Sequence, residues 1–264
     1  MIQWFDSHCH LDYDYDGKTT ETLLEDARAK GVVGFTTIGT EVPRWPALEA
    51  ISEKFDDVFH TIGVHPHDSK DLTDEGLVEL KQRALHPKCR AIGEIGLDYH
   101  YDHSPRETQK KRLDDQLEIA IETKQPIVIH SREGEDDLLV ALKRYAARSK
   151  AARAPGIIHC FSGTEKFARG CLDLGFLISI SGIVTFKKSQ ELRTTIQRLP
   201  IRQLLVETDA PFLAPEPFRG KKCEPAMVVQ TGLKLAELFG VPAAELAAIT
   251  TKNAHEFFRV TGTA

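Results

Sequence analysis

A chain of 264 residues with 41% hydrophobic and 28% charged side chains has enough material for one large core, which excludes a disordered or fibrous protein. Its net charge of -5 argues against a chain that coats nucleic acid by bulk electrostatics, so any polyanion would have to be bound locally. No run approaches the roughly eighteen apolar residues of a membrane span, and no basic region precedes an apolar one at the N-terminus. A cytoplasmic protein is therefore expected, with its five scattered cysteines reduced and none placed as a nucleophile.

The chain opens on a short apolar stretch, Ile2, Trp4 and Phe5, that runs into Asp6-Ser7-His8-Cys9-His10. Read as a strand over Trp4–His8 and continued, its period of two puts His8 and His10 on one face and Cys9 on the other, so that two imidazoles share one volume. Further strands are predicted over Val32–Ile38, Val58–Val64, Ala91–Ile95, Ile127–His130, Ile157–Cys160, Phe176–Ser179 and Leu204–Glu207. Helical segments lie between them. Gly31 stands where the first should stop, and Ser104-Pro105-Arg106-Glu107 has the spacing of a capping box, with Leu113, Leu117 and Ile121 following at four-residue intervals. Ser162 and Glu165 repeat that spacing before a stop at Gly175. Ala146–Ala154 reads as a helix end and loop, and a last helix over Ala243–Phe258 is expected to pack on the outside.

Eight strands apolar on both faces, alternating with helices, predict a parallel sheet covered by helices. Count and length fit a closed (β/α)8 TIM barrel, a single domain over residues 1–264. A doubly wound open sheet is the competing architecture, but it needs no eighth strand and more often carries a glycine-rich fingerprint, which is absent.

In such a barrel the site is built at the C-terminal ends of the strands. His8, His10, Glu94, His130, His159 and Asp209 all fall there. Each alone has an ordinary reading: a salt-bridged core glutamate, hydrogen-bonded core histidines, a helix-capping aspartate. Together they explain one another as metal ligands, because burying six such groups is costly unless they are paired or coordinated. Six ligands exceed one tetrahedral ion, and a carboxylate can bridge, so two divalent ions are expected. His8, His10 and Asp209 would hold one and His130 and His159 the other, with Glu94 bridging. Zinc or manganese suits this donor set, whereas magnesium usually prefers oxygen.

Asp6-Ser7-His8-Cys9-His10-Leu11-Asp12, Gly63-Val64-His65-Pro66-His67, Gly93-Glu94-Ile95-Gly96-Leu97-Asp98-Tyr99, His130-Ser131-Arg132, His159-Cys160-Phe161-Ser162-Gly163, Glu207-Thr208-Asp209-Ala210-Pro211 and the Asn253-Ala254-x-x-Phe257-Phe258 tail follow in order along nearly the whole chain. As a set they resemble the TatD-family metal-dependent deoxyribonucleases, which belong to the amidohydrolase-like barrels. The resemblance implies a divalent-metal-dependent nuclease that removes nucleotides from DNA, typically single-stranded and as a 3′-to-5′ exonuclease, usually assayed with magnesium. It also implies the same six ligands. One segment departs from the family pattern: Lys222-Cys223-Glu224-Pro225 stands where an Arg-Asn-Glu-Pro run is usual.

A phosphodiester repels nucleophiles and has a poor leaving group, and two cations address both difficulties. Glu94 as the shared ligand and Asp209 as acceptor of the attacking water's proton are the expected catalytic residues. His65, His67 and Arg132 are candidate substrate contacts, against a solvated turn for the histidines and a salt bridge to Glu133 or Glu135 for the arginine. Asp6 and Glu207, two residues before ligands, would orient them or be ordinary core carboxylates. Tyr99, Tyr101, Phe161 and Phe212 would stack on bases or pack loops. Arg219, Lys221 and Lys222 would track a nucleic-acid backbone or be solvated. The partner is then DNA, with no membrane and no second copy required. Two alternatives use the same residues: hydrolysis of a small ester, amide or aminoacyl ester, and a metal-stabilised scaffold that binds without turnover.

Overall fold

The structure is a computed structural model describing residues 2–151 and 154–260. Eight parallel strands pair in chain order: β1 (Trp4–Cys9), β2 (Val32–Thr37), β3 (Val58–Ile62), β4 (Cys89–Asp98), β5 (Ile127–Arg132), β6 (Gly156–Ile158), β7 (Leu177–Ile180) and β8 (Leu204–Val206). The sheet closes just beyond the strand ends. There Cys9 bridges Ala210 in parallel, the Asp209 amide donates to the His8 carbonyl at 2.9 Å, and the His10 amide donates to that of Ala210 at 2.8 Å. This is the TIM barrel expected from the alternation. Closure leaves no edge strand to protect.

The helices α1 (Thr20–Arg28), α2 (Trp45–Lys54), α3 (Asp74–Arg83), α4 (Arg106–Thr123), α5 (Glu135–Ala146), α6 (Glu165–Asp173), α7 (Gln190–Gln197), α8 (Val228–Phe239) and α9 (Ala243–Phe257) complete the described chain. Irregular chain follows α5 as far as Ala151, and positions 152 and 153 of the expected loop lie outside the described residues. Threonines cap α1, α3 and α6, each accepting an amide of the first turn: Thr19 from Thr22, Thr73 from Gly76 and Thr164 from Phe167. Both capping-box expectations need correction. Thr164, not Ser162, caps α6. Ser104 does not cap α4, because its buried hydroxyl is engaged across the loop, donating to the His67 carbonyl at 2.7 Å and accepting the Lys70 amide at 3.1 Å.

The main core lies between strands and helices. A second apolar cluster gathers Phe5, Phe59, Ala91, Val128, Ile157 and Leu205 from six different strands, and residues from six strands can meet only inside the barrel. Phe257 and Phe258, at the end of α9, complete this floor, with Phe258 stacked on Phe5 at 5.6 Å. So α9 does not simply lie on the outside, as its amphipathic pattern suggested; its aromatic end plugs the barrel from below and leaves the upper end for polar groups.

One buried histidine away from that upper end predicts an acid limit to stability. His60 on β3 is fully buried against Ser52, 2.7 Å from its hydroxyl, and burial followed by repulsion from His86 pushes its pKa down from 6.5 to about 3. Between those values the unfolded chain binds the extra proton, so this contribution to stability is lost as pH falls from 6.5 toward 3. Urea titrations of the metal-free protein at pH 7 and pH 5 should differ, and His60→Gln should narrow the difference. An unchanged difference in the variant would refute the assignment.

Candidate metal centre

The strand ends deliver one dense group of imidazoles and carboxylates. β1 brings His8 and, one residue beyond it, His10, their rings edge to face at 5.2 Å. Cys9 between them turns away to the Thr36 carbonyl, as the period of two requires. β5 supplies His130, and the residue after β6 is His159, whose ring stacks on His8 at 3.9 Å. Asp209 follows β8 with φ +58°, a left-handed conformation that aspartate tolerates better than most residues.

Glu94 arrives by a different route. Its strand, β4, is longer than the apolar run suggested, and Glu94 lies in its middle. Pairing with β5 slips between Ile92 and Ile95, and this irregularity frees the Glu94 amide to donate to the Gly39 carbonyl at 2.7 Å. Two residues on, Gly96 has φ +151°, and a Cβ there would stand 2.0 Å from the His130 carbonyl oxygen. Only glycine lets β4 and β5 approach this closely at the site.

Glu94 is the hub of the centre. Its Oε1 lies 2.8 Å from His159 Nε2, 3.0 Å from His130 Nδ1 and 3.4 Å from His65 Nε2, and its Oε2 lies 3.3 Å from His8 Nε2. Burial alone would raise this carboxyl, but the imidazoles of His159 and His65 hold it well below the ordinary value. Asp209 Oδ1 lies 3.4 Å from His10 Nε2 and 3.6 Å from His8 Nε2. There too burial is outweighed, with the His10 contact lowering the Asp209 pKa and raising that of the imidazole. His8 goes the other way: burial and the adjacent His159 lower its pKa.

Three overlapping triads result, each with its ligand atoms mutually within 4.8 Å: His8, His10 and Asp209; His8, Glu94 and His159; His65, Glu94 and His130. A cation fits them for a reason visible in His8. That ring is fully buried, yet neither of its nitrogens makes a hydrogen bond, although two carboxylates are near. An unsatisfied buried polar atom costs about 1–3 kcal/mol, and coordination at Nε2 removes the cost for that atom. All six expected ligands meet here, and His65 joins them, closer to the centre than the substrate contact it was expected to be.

Asp98, at the end of β4, is a further member that the sequence reading left without a role. One of its oxygens, Oδ2, stands 3.0 Å from His67 Nε2 and 3.1 Å from His130 Nε2, while Oδ1 accepts the amides of His100 and Tyr101. It therefore fixes the His130 ring with Nδ1 toward Glu94. The signal was available: Leu97 continues the strand alternation beyond Ile95 and leaves Asp98 at the end. Glu207 Oε1 accepts the Cys160 amide at 2.7 Å and lies 3.4 Å from His159 Nδ1, without a hydrogen bond to that nitrogen. Asp6 instead binds the Thr208 amide and hydroxyl at 2.9 and 2.6 Å, anchoring the chain that leads into Asp209. Its burial pushes its pKa up to about 8.

Above the centre opens a cleft of about 440 Å3 whose lining includes His67, Tyr101, Arg132 and Phe212. Arg132 pairs with neither Glu133 nor Glu135 and lies over the Tyr101 ring at 4.8 Å. Glu133 binds His100, and Glu135 binds Thr164. Phe161 is buried, and Tyr99, bonded to Asp137, lines only the groove beyond Arg132, so neither offers a face above the centre. The basic loop is largely committed to its own fold: Arg219 lies over Phe186 at 3.8 Å, and Lys222 pairs with Asp14 and Asp16. Cys223, in the departing segment, is buried with its amide on the Pro211 carbonyl at 3.0 Å, so it supports the loop after Asp209 from behind.

Comparison with known proteins matches residues 5–259 to the family described as TatD related DNase. The chain is 38% identical to the uncharacterized metal-dependent hydrolase YabD of Bacillus subtilis (strain 168), covering 97% of this chain and 99% of that one. It is 36% identical to the uncharacterized metal-dependent hydrolase YcfH of Escherichia coli (strain K12), over 97% and 95%. Among solved structures, YjjV, a TatD homologue of Escherichia coli K12, superposes with a TM-score of 0.90 at 32% identity, covering 97% of this chain and 98% of that one.

Proposed function

The chain belongs to the TatD related DNase family of metal-dependent hydrolases, and from that premise we propose that it is a deoxyribonuclease shortening single-stranded DNA from its 3′ end. The observation that carries the reading is Glu94, one carboxylate within 3.4 Å of four imidazoles that come from four different strand ends. So many neutral donors about shared carboxylates suit a pair of divalent ions. His8, His10 and Asp209 would hold one and His130 and His159, whose facing nitrogens lie 3.4 Å apart, the other, with Glu94 shared and His65 beside it. When bound, such ions neutralise phosphoryl oxygens and make water a nucleophile at neutral pH.

The chain's own residues do the rest. Asp209, its carboxylate kept ionised by His10, accepts the proton of the attacking water. Asp98 holds His130 in one orientation and keeps His67 at the edge of the cleft, where a phosphate oxygen or leaving group would pass. Two divalent ions held by the carboxylates of Glu94 and Asp209 would leave a local positive charge for a phosphate to meet, although the chain carries a net charge of -5.

The test is digestion of single-stranded oligonucleotides labelled at either end, after chelation and addition of magnesium, manganese or zinc. Stepwise shortening from the 3′ end that requires the ion is expected. No shortening with any ion, in protein that retains metal, would overturn the nuclease reading in favour of a small ester or amide substrate.

A further inference from the structure

Among the described residues, the exposed Phe, Tyr and Trp side chains are two, Tyr101 at 51% and Phe212 at 48%. Every other such ring is buried or half-buried, yet both of these line the same cleft. They reach it from opposite rims. Tyr101 belongs to the loop after β4 and Phe212 to the loop after β8, and in an eight-stranded barrel paired in chain order these strands face each other across the axis. Each ring is linked to the centre by a histidine: Phe212 meets His10 edge to face at 6.0 Å, and Tyr101 meets His67 at 5.5 Å. Arg132 lies over the Tyr101 ring at 4.8 Å and His103 stacks parallel to it at 5.6 Å, yet about half of each aromatic still meets water, and the pair is best explained by a ligand that covers what is left.

Resting on the nuclease reading, we propose that Tyr101 and Phe212 are base-stacking platforms on either side of the scissile phosphodiester, Tyr101 for the terminal nucleotide and Phe212 for the penultimate one. Charge sets this polarity. Past Arg132 the cleft continues into a groove of about 1180 Å3 whose lining includes Glu133, Glu135, Asp136, Asp137, Glu165 and Glu191, against Lys166 and Lys188. Asp136, Asp137 and Glu165 are paired with Lys166, Lys110, Arg169 and Arg198, so the carboxylates left to face a continuing strand are Glu133, Glu135 and Glu191; they disfavour its phosphates, so the strand ends on the Tyr101 side and leaves over Phe212. Arg132, riding on Tyr101, supplies the cation for the end nucleotide. Bases are available to such platforms only when unpaired, so the two rings are specificity determinants for a frayed or single-stranded end.

The probe is an oligonucleotide carrying the fluorescent base 2-aminopurine at the 3′-terminal or penultimate position, bound to chelated protein so that stacking is read without turnover. Quenching at the terminal position should be lost in Tyr101→Ala and kept in Tyr101→Phe. Quenching at the penultimate position should be lost in Phe212→Ala and kept in Phe212→Tyr. In metal-loaded digestion each alanine variant should raise KM about tenfold, and an abasic sugar at the matching position should bring the parent to the same level. Shortening by the parent together with unaltered quenching and KM in both alanine variants would overturn the platforms alone. Loss of quenching at the opposite position in each variant would overturn the polarity, and a parent that shortens no oligonucleotide with any ion would overturn the nuclease reading and the platforms with it.

Discussion

Glu94→Gln should strip the protein of bound metal on dialysis and lower turnover on the order of a thousandfold. The substitution keeps the volume and removes only the charge. In the native centre that charge is shared among His8, His65, His130 and His159, and Gln would offer an amide group to imidazoles that need an anion or a cation between them. The metal-free protein should feel the change as well. A carboxyl whose folded pKa lies well below its ordinary 4.5 contributes stability above that value and loses it as pH falls through the folded pKa. Glu94→Gln should therefore flatten the acid dependence of urea stability while lowering stability at neutral pH. A variant with parental metal content and turnover would show that the imidazoles do not depend on Glu94.

Asp209→Asn should act on turnover more than on substrate affinity. Removing a positioned general base typically costs about 10²–10⁴ in rate, and Asn preserves the left-handed backbone that Asp209 occupies. Because Asp209 also belongs to a ligand triad, the comparison has to be made at saturating metal. There kcat should remain depressed with KM near the parental value. Recovery of parental kcat at high metal would reduce Asp209 to a ligand and end its role as base.

The sequence disclosed the barrel because its strands are short apolar runs separated by amphipathic segments, and it disclosed His8 and His10 because a period of two is a local property. His130, His159 and Asp209 were legible for the same reason, each lying at or just past the end of an apolar run. Glu94 was placed at a strand end for the wrong reason. β4 extends to Asp98, and Glu94 faces the centre because pairing with β5 slips, a property of two strands together that neither sequence shows alone. His65 looked like a turn residue, and only the curvature of the closed barrel brings it to 3.4 Å from Glu94. The floor formed by Phe257 and Phe258 was hidden in the same way, since an amphipathic helix that packs against a barrel and one that plugs it share one pattern. Ser104 and Ser162 had the spacing of caps, but tertiary partners claimed the first hydroxyl and Thr164 took the place of the second.

The most direct measurement is anomalous diffraction from crystals grown with manganese, in which each bound ion appears as a peak whose ligands can be read off. Two peaks are predicted, one at coordination distance from His8, His10 and Asp209 and the other from His130 and His159, with Glu94 reaching both. A single peak, or peaks that leave Glu94 uncoordinated, would contradict a two-ion centre organised around that carboxylate.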